Sequence, residues 1–152
     1  MISTRGRYAL RVMIDLAECE KAAGNTDDAK TTLTDKRTEG DTPRVALKDI
    51  AERQGISKKY LEIIVKDLVA SNLITGTRGK SGGYKLTRDA EDYTVQEILD
   101  ATEGPLATVA CLAKDAAECP RTSICKTLPM WKEFDAMIHD YFYGKTLADL
   151  AG

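Results

Sequence analysis

The sequence predicts a mainly α-helical fold with a small β wing: a winged helix-turn-helix followed by a long C-terminal helix. Three observations predict it. Two short amphipathic stretches are joined through Gly55 and Ser57. A glycine-rich basic segment, LITGTRGKSGGYKL at 73–86, follows them directly. The net charge of −2 also conceals a basic middle, with +6 on residues 44–88, −7 on 89–152 and −1 on 1–43. That asymmetry is the one a region facing a polyanion shows.

The elements follow in order. From Ser3 to about Glu20, Leu10, Met13, Ile14 and Ala17 form one helical stripe, with Arg5, Arg7 and Arg11 near its start. Residues 21–43 have no apolar period and many Thr, Asp and Gly, and read as an exposed flexible insertion. Leu47, Ile50 and Ala51 then form the inner face of a short helix ended by Gly55, where a turn needs a positive φ. Ser57 is placed to cap the next helix, in which Leu61, Ile64, Val65 and Leu68 keep the spacing of a buried face. Its other face offers Lys58, Lys59, Glu62 and Lys66. The four glycines of 73–86 lie between two β-prone stretches, which predicts a hairpin with a basic tip. A short helix over Tyr93–Ala101 turns Val95, Ile98 and Leu99 inward, and Gly104-Pro105 breaks the chain after it. A last helix, about Pro129 to Tyr143, carries Trp131, Phe134, Ile138, Tyr141 and Phe142 on one broad side. Such a helix exposes too much apolar surface alone, so a homodimer is expected through 129–143. The expected organisation is a DNA-binding unit at 1–88, a short helix and cysteine loop at 89–128, and a dimerisation helix with a C-terminal tail at 129–152.

Helix, turn, helix and basic hairpin in this order suit double-stranded DNA, with the second helix in the major groove. Lys58 and Lys59 oppose the helix dipole at their end of the helix, a conflict that a phosphate resolves. Arg78, Gly79 and Lys80 at the hairpin tip are placed to reach a phosphate or the minor groove.

Cys111, Cys119 and Cys125 stand as C-x7-C-x5-C. In a reducing compartment clustered thiols point to metal or redox chemistry rather than disulfides. Three thiolates suit an iron–sulfur cluster or zinc, and the paired short knuckles of structural zinc sites are missing. Cys19, on the first helix, has no such neighbours in sequence.

The segments MISTRGRYALRVMIDLA and LKDIAERQGISKKYLEIIVKDLVASNLITGTRGKSGGYKL resemble the IscR/NsrR/RirA/CymR family of bacterial winged-helix regulators. The likeness covers nearly the whole chain except 21–43. It implies that Arg5 and Arg7 approach the DNA backbone, that Lys59, Tyr60 and Glu62 sit at the major groove, and that Arg78 enters the minor groove. It also implies a homodimer on near-palindromic sites, with the last helix as the seam. Cluster-binding members carry three cysteines in this region, and the spacing here is most similar to RirA-type members. The departures concern the fourth ligand. The position at which some members have a histidine is Leu128, and the position of an N-terminal aspartate in others is Arg7. Both a 4Fe–4S and a 2Fe–2S cluster therefore stay open. Regulation without a cluster, as in CymR-type members, and a zinc site are the alternatives.

An enzyme is not expected: no nucleophile–base pair and no phosphate-binding loop stand in the sequence, and its one histidine, His139, lies on an apolar helix. No apolar run approaches the roughly 18 residues that span a bilayer. The opening Met1–Arg7 lacks the apolar core of a secretory signal, so a cytoplasmic protein is expected.

Overall fold

In the computed structural model, residues 2–24 and 43–152 are described, and most of the expected insertion lies outside them. Helix α1 spans Thr4–Gly24, so residues 21–24 continue a helix rather than opening a loop. Helices α2, Leu47–Gln54, and α3, Lys58–Ala70, form the helix-turn-helix. Strands β1, Ile74–Thr77, and β2, Gly83–Leu86, form the antiparallel wing, and α4, Val95–Glu103, follows it. The cysteine loop is irregular apart from two short 3-10 turns, after which come α5, Leu128–Tyr143, and α6, Leu147–Ala151.

Local chemistry explains the boundaries. Gly55 adopts φ 63° and ends α2, as a turn glycine should. The α3 C-terminus closes by a Schellman arrangement in which Leu73 N–H reaches Leu68 O at 2.9 Å and Asn72 N–H reaches Val69 O at 3.0 Å. Asn72 supplies the left-handed residue at φ 56°. In the wing, Gly76 pairs with Tyr84, and a Cβ on Gly76 would stand 2.7 Å from the Tyr84 ring. Val45 adds an edge to the hairpin, exchanging two backbone bonds of 2.8 Å with Tyr84.

The core gathers Met13 and Leu16 of α1, Ile50 of α2, Leu61, Ile64 and Leu68 of α3, Ile74, Tyr93, Ile98 and Leu147, all essentially inaccessible. Three expectations shift. The buried stripe of α1 is Ala9, Val12, Met13, Leu16 and Ala17, so Met13 and Ala17 lie in it as expected while Leu10 and Ile14 stand on its flank, because α1 is packed on several elements at once. Tyr93 lies before α4 rather than in it, since Thr94 caps that helix by accepting from Glu97 N–H at 3.1 Å. The segment after α5, read as a tail, forms α6 and inserts Leu147 into the core. A capping box of Thr146 and Asp149 starts α6, and Leu147 N–H bonds Tyr93 O at 2.9 Å.

Candidate nucleic-acid interface and cysteine loop

Ser57 caps α3, its hydroxyl accepting from Tyr60 N–H at 3.3 Å. Beyond the cap, Lys58, Lys59, Glu62 and Lys66 are exposed, and their side chains have no partner among the described residues. Arg78, Gly79 and Lys80 occupy the exposed wing tip, where Gly79 turns at φ 114°. A groove of about 250 Å³ runs between α3 and the wing, with Glu62 and Lys66 on one wall and Thr77 and Arg78 on the other. The fold thus brings Glu62 and Arg78 to one surface. Lys66 belongs there too, and its position four residues after Glu62 is the signal that places it.

The basic start of α1 is divided in its uses. Arg5 forms an ion pair with Asp67, tying α1 to α3, and its buried Nε has no partner among the described residues. Arg7 stays exposed, donating to Thr4 Oγ1 at 3.1 Å. Tyr60 packs edge-on against Tyr8, ring centroids 5.8 Å apart, and Arg11 lies 5.3 Å from the Tyr8 centroid. Tyr60 is therefore held partly inside the fold.

Polar contacts missed in the sequence fix these surfaces. The buried Asp15 accepts a two-pronged pair from Arg53, at 3.0 and 2.7 Å, and a further bond from Gln54 at 2.9 Å. Hydrogen bonding to Asp15 pushes the Arg53 guanidinium well above its ordinary range. Tyr93 hydroxyl donates to Leu73 O at 2.8 Å and accepts from Thr87 and Arg88 N–H at 2.8 and 2.9 Å. It joins both ends of the wing to the core. Glu103 accepts from Ser3 N–H and Oγ–H and from Gly6 N–H, at 2.8, 2.7 and 3.0 Å, so the end of α4 caps the start of α1. Desolvation pushes the Glu103 carboxyl up, but the bonds from Ser3 and Gly6 prevail and hold it below its usual range. A Cβ on Gly6 would stand 2.3 Å from Glu103 Oε1, so a side chain there would displace the carboxylate from its three bonds.

Cys111, Cys119 and Cys125 are free thiols on the wall of one cavity of about 190 Å³, which Glu118, Leu128 and Lys132 also line. Cys125 lies just before α5. A hydrogen bond with Thr127 Oγ1 at 3.5 Å lowers its thiol below the ordinary range, helped by the backbone N–H groups of Thr127 and Leu128. Cys19 does not line this cavity. Its thiol faces Arg53 Nη2 at 3.5 Å and is raised by burial. His139 is also elsewhere: its Nε2 lies 3.2 Å from Leu106 O and 3.6 Å from Asp135. Among the described residues no three His, Cys, Asp or Glu side chains close on a site for a single ion.

Helix α5 contains no buried residue over its 16 positions, and Met130, Phe134, Met137, Tyr141 and Tyr143 are exposed. No helix among the described residues is long and apolar enough to cross a membrane.

Comparison with known proteins accords with this architecture. The family profile of Rrf2, described as an iron-dependent transcriptional regulator, matches residues 22–152. The chain is 35% identical over 149 residues to Protein rrf2 of Nitratidesulfovibrio vulgaris, covering 98% of this chain and 85% of that protein. It is 29% identical to the transcriptional regulator IscR of Klebsiella pneumoniae, covering 98% and 78%. Among solved structures, CymR, the global cysteine regulator of B. subtilis, superposes with TM-score 0.70 at 28% identity, covering 99% of this chain and 95% of that one. IscR of T. potens superposes with TM-score 0.68 at 29% identity, covering 99% and 85%. Rrf2 members are transcription regulators that bind DNA, not enzymes. With its helix-turn-helix, wing and whole-length likeness, this chain belongs to the Rrf2 family of winged-helix transcription regulators.

Proposed function

We propose that the protein is a homodimeric regulator whose iron–sulfur cluster, held by Cys111, Cys119 and Cys125, reports redox, iron or nitric-oxide status to the DNA-binding surface. The observation that carries this reading is the shared cavity: all three thiols line it, at the N-terminal end of α5. Thiols spread around a wall suit a multi-iron cluster, in which different irons take different thiolates, better than one tetrahedral ion. The donors around Cys125 favour its thiolate, the form that binds iron. A bound cluster would supply a centre whose oxidation state and integrity respond to oxygen, nitric oxide and iron supply.

The chain's own residues give that centre a route to DNA. Leu128 and Lys132, in the first turns of α5, line the cavity. Further along α5, Asp135 accepts from Thr108 N–H at 2.8 Å and Oγ–H at 2.9 Å, so the segment entering the loop is tied to the same helix. The exposed apolar surface of α5 supports pairing of two copies along it. Movement of α5 then changes the separation of two recognition helices, which must match half-sites about 34–36 Å apart on a near-palindromic operator. Lys58, Lys59, Tyr60, Glu62, Arg78, Gly79, Lys80 and Arg7 form the DNA-facing set, and Arg5 joins it from its ion pair with Asp67.

Regulation without a cluster is the second reading, supported by the likeness to CymR. Anaerobic purification followed by iron, sulfide and zinc analysis separates them. The cluster reading expects a brown protein with iron and sulfide, abolished by serine at Cys111, Cys119 and Cys125 and kept by Cys19→Ser. It also expects an operator-affinity difference of about 1.4–3 kcal/mol between cluster states. A colourless parent, or a triple-serine variant that binds iron and DNA as the parent does, rejects it.

A further inference from the structure

We propose that Glu118 supplies the fourth protein ligand to the cluster, an assignment that rests on the three-cysteine reading above. Three thiolates leave one coordination position without a protein donor, and neither Leu128 nor Arg7 fills it as a histidine or aspartate would. Among the residues lining the cavity that the three thiols share, Glu118 is the one acidic residue. This side chain is exposed and has no hydrogen-bond or ion-pair partner among the described residues. The chain around it is neither helix nor strand from 113 to 121, and Ala116, Ala117, Glu118 and Cys119 all line the cavity as the backbone curves about it. Successive residues can therefore both face inward, which a regular strand forbids.

Two donors of the last helix, His139 and Asp135, are engaged elsewhere. His139 lines a separate cavity with Ile2 and Phe142, its Nε2 3.2 Å from Leu106 O. Asp135 lines that second cavity too and holds Thr108. Lys132 brings an ammonium to the thiol cavity, offsetting the negative charge that three thiolates and a carboxylate gather there. A carboxylate is a harder and weaker ligand than thiolate for iron in a sulfide cluster. Glu118 would thus hold its iron less firmly than the three cysteines hold theirs, and would make its side of the loop the labile one.

The test compares the full chain with Glu118→Ala, Glu118→Cys and the loop control Asp115→Ala, all prepared anaerobically. Iron and sulfide per chain, the visible spectrum and the rate of iron release to excess chelator are measured, with circular dichroism to establish folding. Glu118→Ala is expected to change the spectrum and release iron several-fold faster. Glu118→Cys is expected to release it more slowly than the parent, and Asp115→Ala to match the parent. Equal spectra and release rates in the parent and Glu118→Ala overturn the assignment while leaving the three-cysteine cluster standing. The assignment also fails if Asp115→Ala behaves like Glu118→Ala. A parent without iron and sulfide overturns both readings.

Discussion

Tyr93 has an apolar ring and one polar hydroxyl, and the fold uses both. Its ring is fully buried, while the hydroxyl makes three backbone bonds that tie Leu73, Thr87 and Arg88 together. Tyr93→Phe keeps the ring but removes those bonds and leaves Arg88 N–H without its partner, at a cost of about 1–3 kcal/mol in urea unfolding. A loss within error would mean that water replaces the hydroxyl. Glu103 is a second such residue, and it makes a pH-dependent prediction. Its folded-state pKa lies below the unfolded value of about 4.3. The stabilisation is therefore complete above that value and disappears as pH falls through the lower folded pKa. Glu103→Gln should lose about 0.3–1 kcal/mol at neutral pH, toward the low end where solvent screens the charge. Thermal melts of the two proteins should converge in acid; a gap that persists at the lowest pH would assign the effect to packing. Neither contact is legible in the sequence, because the partners of Tyr93 and Glu103 include residues some 20 and 100 positions away.

At the scale of elements, α3 and the wing were legible because their signals are local. Ser57, Gly55 and the spacing of Leu61, Ile64 and Leu68 each act within a turn or two of themselves. Their exposed cations carry a prediction about DNA. Arg78→Ala should weaken a specific operator contact by about 1–3 kcal/mol. Lys59→Ala, if it meets only phosphate, should weaken all sequences alike and lower the salt dependence by about one ion. Operator titrations at several salt concentrations read both, and unchanged affinity in both variants would move the interface elsewhere. Helix α1 was less legible. Its start followed from periodicity, but it runs on to Gly24, past the expected end near Glu20, and its buried face is broader than one stripe, because α2, α3, α4, α6 and β2 all pack on it. Sequence periodicity reports one dominant direction of burial, and α1 has several.

At the scale of the molecule, α5 is the element without a finished environment. It meets the rest of the fold through α4 and residues 106–108, and Met130, Phe134, Met137, Tyr141 and Tyr143 face outward. Trp131→Asp or Ile138→Asp should give a monomer in sedimentation at micromolar concentration while circular dichroism stays native-like. A dimer that survives both substitutions would place the seam on another surface. The amino-acid sequence by itself determined the helix-turn-helix, the wing, the basic middle and the cysteine spacing. Each of these is written in neighbouring residues or in composition, and needs no distant partner to be recognised. Tertiary structure alone decided that the three thiols share one cavity wall with Glu118, that Gly6 makes room for Glu103, and that Leu147 returns to the core beside Tyr93. The last two join residues far apart in the chain, and the thiol loop has no helix or strand period from which its inward residues could be read, so this geometry exists only after the helices have packed and closed the loops between them.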